Sequence, residues 1–540
     1  MIFPIESSLE EIKKALSANK NLILTAEPGA GKSTVVPLAL MNEAWLEGKK
    51  IIMLQPRRVA AVAVASRMAE IDGSEPGKNI GHSVRFSSNI KASTKIEVLT
   101  EGILTKRIQN DPFLENVGLV IFDEFHERSI HADLGLALCC EIKKEVRPDL
   151  RLMVMSATIA TELIRGYLDN SEIINGKGFL YPVTVEYMPV WTGRAYFDNA
   201  AKAIYEIVTS CDEKEEYLVF LPGIGEINRV RDFLESTSVQ QSHDILTLHG
   251  SMSIKEQQRV LGNCNVSSFV NGCDSSEKNK PKIILSTNIA ETSLTIEGIT
   301  TVIDTGYMRQ NQFNSETGLN KLEIARISKA SAKQRAGRAG RLKPGKAIRL
   351  YSKAEFENFA EDDVPEILRS DLASSILELY YWGIKDPYTF NWLECPKKES
   401  IKNSIELLKM LGIIDEKGLI TDFGKKVNNI PTEPRLAVML IKAKEAGCLE
   451  EAALATAIIE EKDFLFADRS NETSEKLWQS RKKETDKTQN AIRINGVDPD
   501  LYIRLSAFED KSNLPKEYSV DNQIMKRILK EQKQLIEKLD

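Results

Sequence analysis

From residue 1 to about 350 the chain alternates short apolar runs with longer amphipathic stretches. The runs are Leu22-Ile23-Leu24, Ile51-Ile52-Met53-Leu54, Val117–Phe122, Leu152-Met153-Val154-Met155, Leu218-Val219-Phe220-Leu221, Ile283-Ile284-Leu285 and Val302-Ile303. Short β-rich runs separated by helical spans predict parallel sheets with βαβ crossovers, an α/β fold. Residues 176–182 read as a linker after which the alternation restarts, so two lobes are expected, 1–180 and 181–354. Beyond 355 the pattern turns helical. Helical runs near 370–382 and 398–411, then a short β signal at 413–421, predict a winged helix over 355–430. A helical bundle is expected over 431–520, and the last twenty residues, 521–540, read as a solvated, charged amphipathic helix. Residues 262–281, rich in Asn, Ser, Gly and Lys, read as a surface loop.

At 540 residues the chain exceeds one core, and roughly 100–200 residues per domain gives three to five domains. Lys and Arg total 72 against 78 Asp and Glu, a net charge of −6. That balance excludes a generic nucleic-acid sponge and confines any such site to a local groove. The seven cysteines form no CxxC pair and no Cys/His cluster at zinc spacing, which argues against a disulfide frame or zinc site and for a reducing compartment. The N-terminus lacks a basic start followed by an apolar run, and no stretch of eighteen apolar residues occurs, so a cytoplasmic protein with no membrane partner is expected.

The polar motifs follow the apolar runs, where parallel sheets bind ligands. After Leu22-Ile23-Leu24 comes Thr25-Ala26-Glu27-Pro28-Gly29-Ala30-Gly31-Lys32-Ser33-Thr34, a strand, a glycine-bearing loop and a helix start. The backbone N–H groups of such a loop wrap the β- and γ-phosphates of a nucleotide. Lys32 adds positive charge, and the Ser33 hydroxyl a Mg²⁺ ligand. Ala26 stands where the strict pattern has Gly, which requires a negative φ there. Pro37 is expected inside the following helix and should bend it. The run Val117–Phe122 ends in Asp123-Glu124-Phe125-His126-Glu127-Arg128. Asp123 is placed to hold Mg²⁺, Glu124 to orient or deprotonate the attacking water, and His126 to link nucleotide state to the second lobe. Ser156-Ala157-Thr158 follows the next strand.

In the second lobe, Gln334-Arg335-Ala336-Gly337-Arg338-Ala339-Gly340-Arg341 suits a helix that approaches a phosphate closely. Arg338 and Arg341 are expected on one helix face as arginine fingers, with Gln334 a turn earlier holding the water. Between Asp304 and that string, residues 307–324 offer two β-compatible arms around Asn314-Ser315-Glu316-Thr317-Gly318, a protruding hairpin.

Together these motifs resemble the DEAH/RHA branch of superfamily 2 helicases, most closely the bacterial HrpB-type RNA helicases. The matching strings are AEPGAGKST (26–34), QPRRVAA (55–61), TEGIL (100–104), DEFHER (123–128), SAT (156–158), LVFLPGIGEI (218–227), STNIAETSLTI (286–296) and QRAGRAGR (334–341). The resemblance covers roughly 1–440 and implies two RecA-like lobes, a winged helix and a ratchet-like bundle. It further implies an ATP- and Mg²⁺-dependent hydrolase acting as an RNA helicase or translocase. Single-stranded RNA, or DNA, would contact Arg57, Arg58, Thr100, Gly102 and Thr292 on the face opposite ATP. Arg67 falls where the family stacks an arginine on the base, and Leu261 replaces the aromatic expected from the second lobe. The family's C-terminal oligonucleotide-binding barrel has no β-rich counterpart before residue 540, which reads as a shorter relative or a fragment. The resemblance leaves a protein activator open and implies a monomer. Two alternatives share every motif: an ATP-gated RNA-binding clamp without processive unwinding, and a DNA helicase. A P-loop enzyme such as a kinase has no use for the arginine string or a second lobe.

Overall fold

Each of the seven apolar runs coincides with a strand in one of two sheets. The structure is a computed structural model that describes residues 3–539 except 28, 86, 157–160, 177, 179–180, 191–194, 211–214, 253, 261–279, 292–295, 297, 315–318, 342, 462, 468–498 and 510–517. Its contacts divide the chain into one unit of Met1–Ser375 with Thr389–Ser400, and another of Ile376–Tyr388 with Ile401–Asp540.

The first unit holds both lobes. Lobe 1 is an eight-stranded sheet of β1 (Asn21–Thr25), β2 (Lys50–Gln55), β3 (Ile80–Val84), β4 (Ser87–Asn89), β5 (Ile96–Thr100), β6 (Val117–Phe122), β7 (Arg151–Ser156) and β8 (Ser171–Asn175). The spatial order is β4-β3-β5-β2-β6-β7-β1-β8, parallel except for the β3–β4 pair. Every residue of β6 and β7 is buried, as expected of central strands covered on both faces.

Lobe 2 is built from β9 (Val183–Tyr187), β10 (Tyr217–Phe220), β11 (Asp244–Leu248), β12 (Lys282–Ser286) and β13 (Thr301–Asp304). It also includes β14 (Tyr307–Asn314), β15 (Leu319–Arg326) and β16 (Gly345–Arg349). Six of these form an all-parallel sheet ordered β11-β12-β10-β13-β16-β9. The other two, β14 and β15, pair only with each other, antiparallel from Tyr307↔Arg326 to Asn314↔Leu319. They are the arms of the expected hairpin; its turn lies outside the described residues, as does most of the expected 262–281 loop.

Two elements depart from the sequence reading. The helix after the glycine loop spans only Val35–Leu40, so Pro37 sits in its first turn, where no intrahelical N–H bond is available to lose, and the expected bend has no cause. The C-terminal helix Asn522–Leu539 is amphipathic but not free in solvent. Within the second unit its Ile524, Met525 and Ile528 join Ala457, Ile458, Phe464 and Ala507 in one core. Its apolar stripe needs a partner, and Leu449–Glu460 supplies it. That unit also contains Lys398–Met410 from Ile401 onward, an isolated antiparallel bridge between Ile414 and Ile420, and the helix Asp422–Asn428.

Candidate active site

β1 delivers the chain to the glycine loop at the carboxyl edge of the lobe 1 sheet. Gly29 and Gly31 adopt φ of +87° and +95°, a region open to glycine at little cost. A Cβ on Gly31 would also crowd Phe3 and Val35 at 3.1 Å. Ala26 is not among the residues with positive φ, so the loop accommodates it. Beyond the loop, Lys32 is buried to 4% exposure. Its Nζ lies 3.5 Å from the Glu124 carboxylate.

Glu124 follows β6, two strand positions from β1, with φ at +50°. That strained backbone turns consecutive carboxylates in different directions. Asp123 Oδ2 accepts a 2.5 Å hydrogen bond from Gln55 Nε2, and Oδ1 accepts from the Glu124 backbone N–H at 2.9 Å. The Ser33 hydroxyl also hydrogen-bonds Asp123. Burial, and then the charge of Glu124, push the Asp123 carboxyl up to about 6. Burial opposes ionisation of Glu124 too, but Lys32, His126 and Arg338 outweigh it and hold its carboxyl at about 2. His126 Nδ1 is 3.6 Å from Glu124 Oε2, and burial lowers the imidazole's pKa despite that neighbour.

From lobe 2 come Arg338 and Arg341, whose charges both act on Glu124. They do not lie on a helix. The helix Lys329–Ala336 ends at Gly337, and the i→i+3 bonds from Arg338 N–H to Arg335 and from Ala339 N–H to Ala336 tighten the chain into successive turns. The small residues serve packing against lobe 2. A Cβ on Gly340 would lie 2.6 Å from the Tyr181 carbonyl oxygen, and one on Gly345 would lie 2.3 Å from that of Ala339. Arg338 Nε donates to the Glu291 carbonyl at 2.8 Å, with Nη2 on the same oxygen. Burial, and then Arg341, lower the Arg338 pKa, and burial lowers that of Arg341 to about 10. A phosphate would add a further counter-charge beside that of Glu124.

Three contributors had little sequence signal. Gln55, at the tip of β2, orients Asp123. Arg335 is buried to 1% exposure, bridges the Glu291 and Asp304 carboxylates at 2.9 Å each, and stacks on Phe220. Glu291 accepts from Ser331 at 2.6 Å while its carbonyl seats Arg338. Glu291 and Arg335 stand within the quoted motifs, but their type alone does not separate a buried brace from a solvated charge.

Gln334 and His126 line a cavity of about 470 Å³ together with Arg57, Arg309 and Arg369. Arg57 reaches across to lobe 2, donating to the Asn288 carbonyl at 3.0 Å and pairing with Glu127 at 3.3 Å. Arg58 opens the helix after β2, while Thr100 ends β5 and Gly102 stands in the first turn beyond it. These four lie at the same carboxyl edge as the glycine loop. β5 is four strand steps from β1, a lateral offset of about 19 Å at ~4.8 Å per strand. Thr292, Leu261 and Ala157-Thr158 lie outside the described residues. Arg67 is exposed and paired with Glu70 at 2.9 Å, and among the described residues it makes no ion pair with the loop.

Residues 8–165 match the DEAD/DEAH box helicase family, and residues 199–343 match the helicase conserved C-terminal domain. The chain is 38% identical over 518 residues to the ATP-dependent RNA helicase HrpB of Escherichia coli (strain K12), covering 94% of this chain and 61% of that protein. It is 36% identical over 468 residues to the ATP-dependent RNA helicase HrpA of the same organism, covering 85% of this chain and 35% of that one. The crystal structure of Escherichia coli DEAH/RHA helicase HrpB superposes with a TM-score of 0.77 at 36% identity, covering 94% of this chain and 63% of that one. The chain therefore spans about three fifths of the length of HrpB.

Proposed function

The chain belongs to the DEAD/DEAH box helicases, and on that premise we propose that it hydrolyses ATP to move along single-stranded RNA and remodel duplexes or RNA–protein particles. The observation that carries this reading is the convergence of Lys32, Arg338 and Arg341 on Glu124 from two lobes. A γ-phosphate entering the glycine loop competes with Glu124 for these cations. Transferring them to phosphate relieves the depression of the Glu124 pKa and frees its carboxylate to orient and accept a proton from the attacking water. His126, kept toward the neutral form by burial, and Gln334 line the cavity and would position that water by hydrogen bonds. Gly29, Ala30, Gly31 and Thr34 would supply backbone donors, and Arg67 would approach the base by swinging away from Glu70.

Ser33 and Asp123 fit a divalent cation, because their hydroxyl and carboxylate already meet beside the loop and burial penalises the carboxylate's charge; Mg²⁺ held there would neutralise phosphate charge. Arg57, Arg58, Thr100, Gly102 and Thr292 would track the nucleic-acid backbone. The helix–helix–bridge order from Ala373–Trp382 through Ile420 supports a winged helix. Among the described residues, no helix is long and apolar enough to cross a bilayer.

The test is ATP turnover with single-stranded RNA, with single-stranded DNA and with neither, alongside Lys32→Ala. Stimulation by RNA is expected, and loss of one such phosphate-facing charge should lower kcat by about 10²–10³. Turnover indifferent to nucleic acid, or Lys32→Ala retaining more than roughly a tenth of the parent kcat, would overturn the reading.

A further inference from the structure

One wall of the 470 Å³ cavity is formed by residues 362–366 and Arg369, part of a segment, 360–369, that belongs to neither sheet. This segment holds three functional pieces at once. At its start, the Ala360 and Glu361 carbonyls accept from the N–H groups of Lys329 and Ala330 at 2.8 and 3.0 Å, while Lys329 Nζ donates to Glu361 at 2.6 Å. These bonds fix the N-terminus of the helix that carries Gln334 and leads to the arginine fingers. At its centre, Glu366 grips the end of the acidic loop in lobe 1. Its N–H donates to the Arg128 carbonyl at 3.1 Å, and its carboxylate accepts from the Ile130 N–H at 3.1 Å. At its end, Arg369 holds the hairpin. Its Nη1 donates to the Asn311 carbonyl at 2.7 Å, and its own carbonyl accepts from the Phe313 N–H at 2.9 Å. Those two groups lie on the edge of β14 that faces away from β15, and among the described residues no other strand pairs with that edge.

We propose that residues 360–369 form a strap that transmits the state of the acidic loop to the hairpin, with Glu366 and Arg369 as positioning residues for strand separation. The inference rests on the helicase reading above. Only two residues, Ile367 and Leu368, separate the two grips. Pro365 restricts φ just before Glu366, and Ile367 is fully buried between the grips. Movement of the Arg128–Ile130 backbone is therefore carried by hydrogen bonds and packed atoms to β14, without passing through the lobe 2 sheet. A ligand shifts an equilibrium only through contacts that differ between the two states. The strap supplies contacts that a phosphate at Glu124 can alter at its near end and the hairpin can feel at its far end.

The test uses the full chain and four variants: Glu366→Ala, Arg369→Ala, their double mutant, and Glu366→Gln, which keeps an acceptor for Ile130. Amide hydrogen exchange is measured with and without ADP–beryllium fluoride, together with RNA-stimulated ATPase and duplex separated per ATP. In the parent, the nucleotide mimic should alter exchange in both the glycine loop and β14. In Glu366→Ala and Arg369→Ala the loop response and ATPase should persist while the β14 response and duplex separated per ATP fall at least about tenfold, the scale of one lost charge-assisted hydrogen bond. Glu366→Gln should recover most of the coupling, and the double mutant should be no worse than either single mutant. A β14 response that survives both alanine variants overturns the strap, as does ATPase falling in step with unwinding. A parent glycine loop indifferent to the mimic would instead overturn the ATP-binding reading itself.

Discussion

Replacing Arg335 with Met should separate the brace of lobe 2 from its chemistry. The guanidinium bridges Glu291 and Asp304 at 2.9 Å each, almost without solvent exposure. Met approximates its volume, so the dominant loss is the cation. Breaking a buried pair from one side costs about 3–5 kcal/mol because the partner's charge is left uncompensated. Here Ser331 still donates to Glu291, while Tyr351 and the Gly306 N–H still donate to Asp304, so the lower end, about 3 kcal/mol, is expected. Burial already raises the Glu291 pKa above its usual value, with Arg335 and then Ser331 restraining it. Removing Arg335 raises it further. A carboxyl whose folded pKa exceeds its unfolded value favours the fold at low pH and loses that advantage as pH rises toward the folded pKa. The penalty in Arg335→Met should therefore be smaller at pH 5.5 than at pH 8. Native-state amide exchange of β10, β12 and β13 reads this locally, avoiding a two-state assumption for a chain of two units. Roughly hundredfold faster exchange at pH 8 is expected, with partial recovery at pH 5.5. Since Glu291 also seats Arg338 through its carbonyl, kcat should fall even where lobe 2 remains folded. A penalty under about 1 kcal/mol, or one independent of pH, would refute the argument that the brace is electrostatic.

Further outcomes follow from the same geometry. Glu124→Gln keeps the shape and removes the base, so ATP should bind at near-normal affinity while turnover collapses; equilibrium nucleotide binding checks this, and a matching loss of affinity would make Glu124 a structural residue. Arg338→Ala and Arg341→Ala should lower kcat far more than ATP affinity, and the double mutant should be less than additive if they act as a unit; full additivity in steady-state kinetics would separate them. Burial raises Glu101 from 4.5 to about 8, against the hydrogen bond from Ser129. Its folded pKa exceeds the unfolded one, so stability should fall between those values with a limiting slope of about 1.4 kcal/mol per pH unit. Glu101→Gln should remove that slope in local exchange of the helix Glu101–Asn110, and an unchanged slope would assign it elsewhere.

Composition and order determined much of this protein. Runs such as Val117–Phe122 have one stable environment, a parallel strand covered on both faces, so the sheets and the motifs at their carboxyl edges were legible residue by residue. The β14 and β15 arms were legible because pairing and turn chemistry are local. Edge strands such as β9 and β11, half exposed and mixed in polarity, carry too weak a pattern to be read the same way. Only the tertiary structure decided where charge is satisfied. Arg335 and Arg338 stand three apart in one string, yet one is locked between carboxylates and the other rests on a carbonyl facing Glu124. The ends of helices were likewise set by contacts. The helix Lys329–Ala336 ends at Gly337, and Gly340 beyond it packs against the Tyr181 carbonyl, while the stripe of Asn522–Leu539 finds a core that periodicity cannot locate. Periodicity and motif spacing are local properties of the chain, whereas burial, pKa and partner choice depend on atoms brought together from distant positions, as with Glu366 gripping Ile130 across 236 residues.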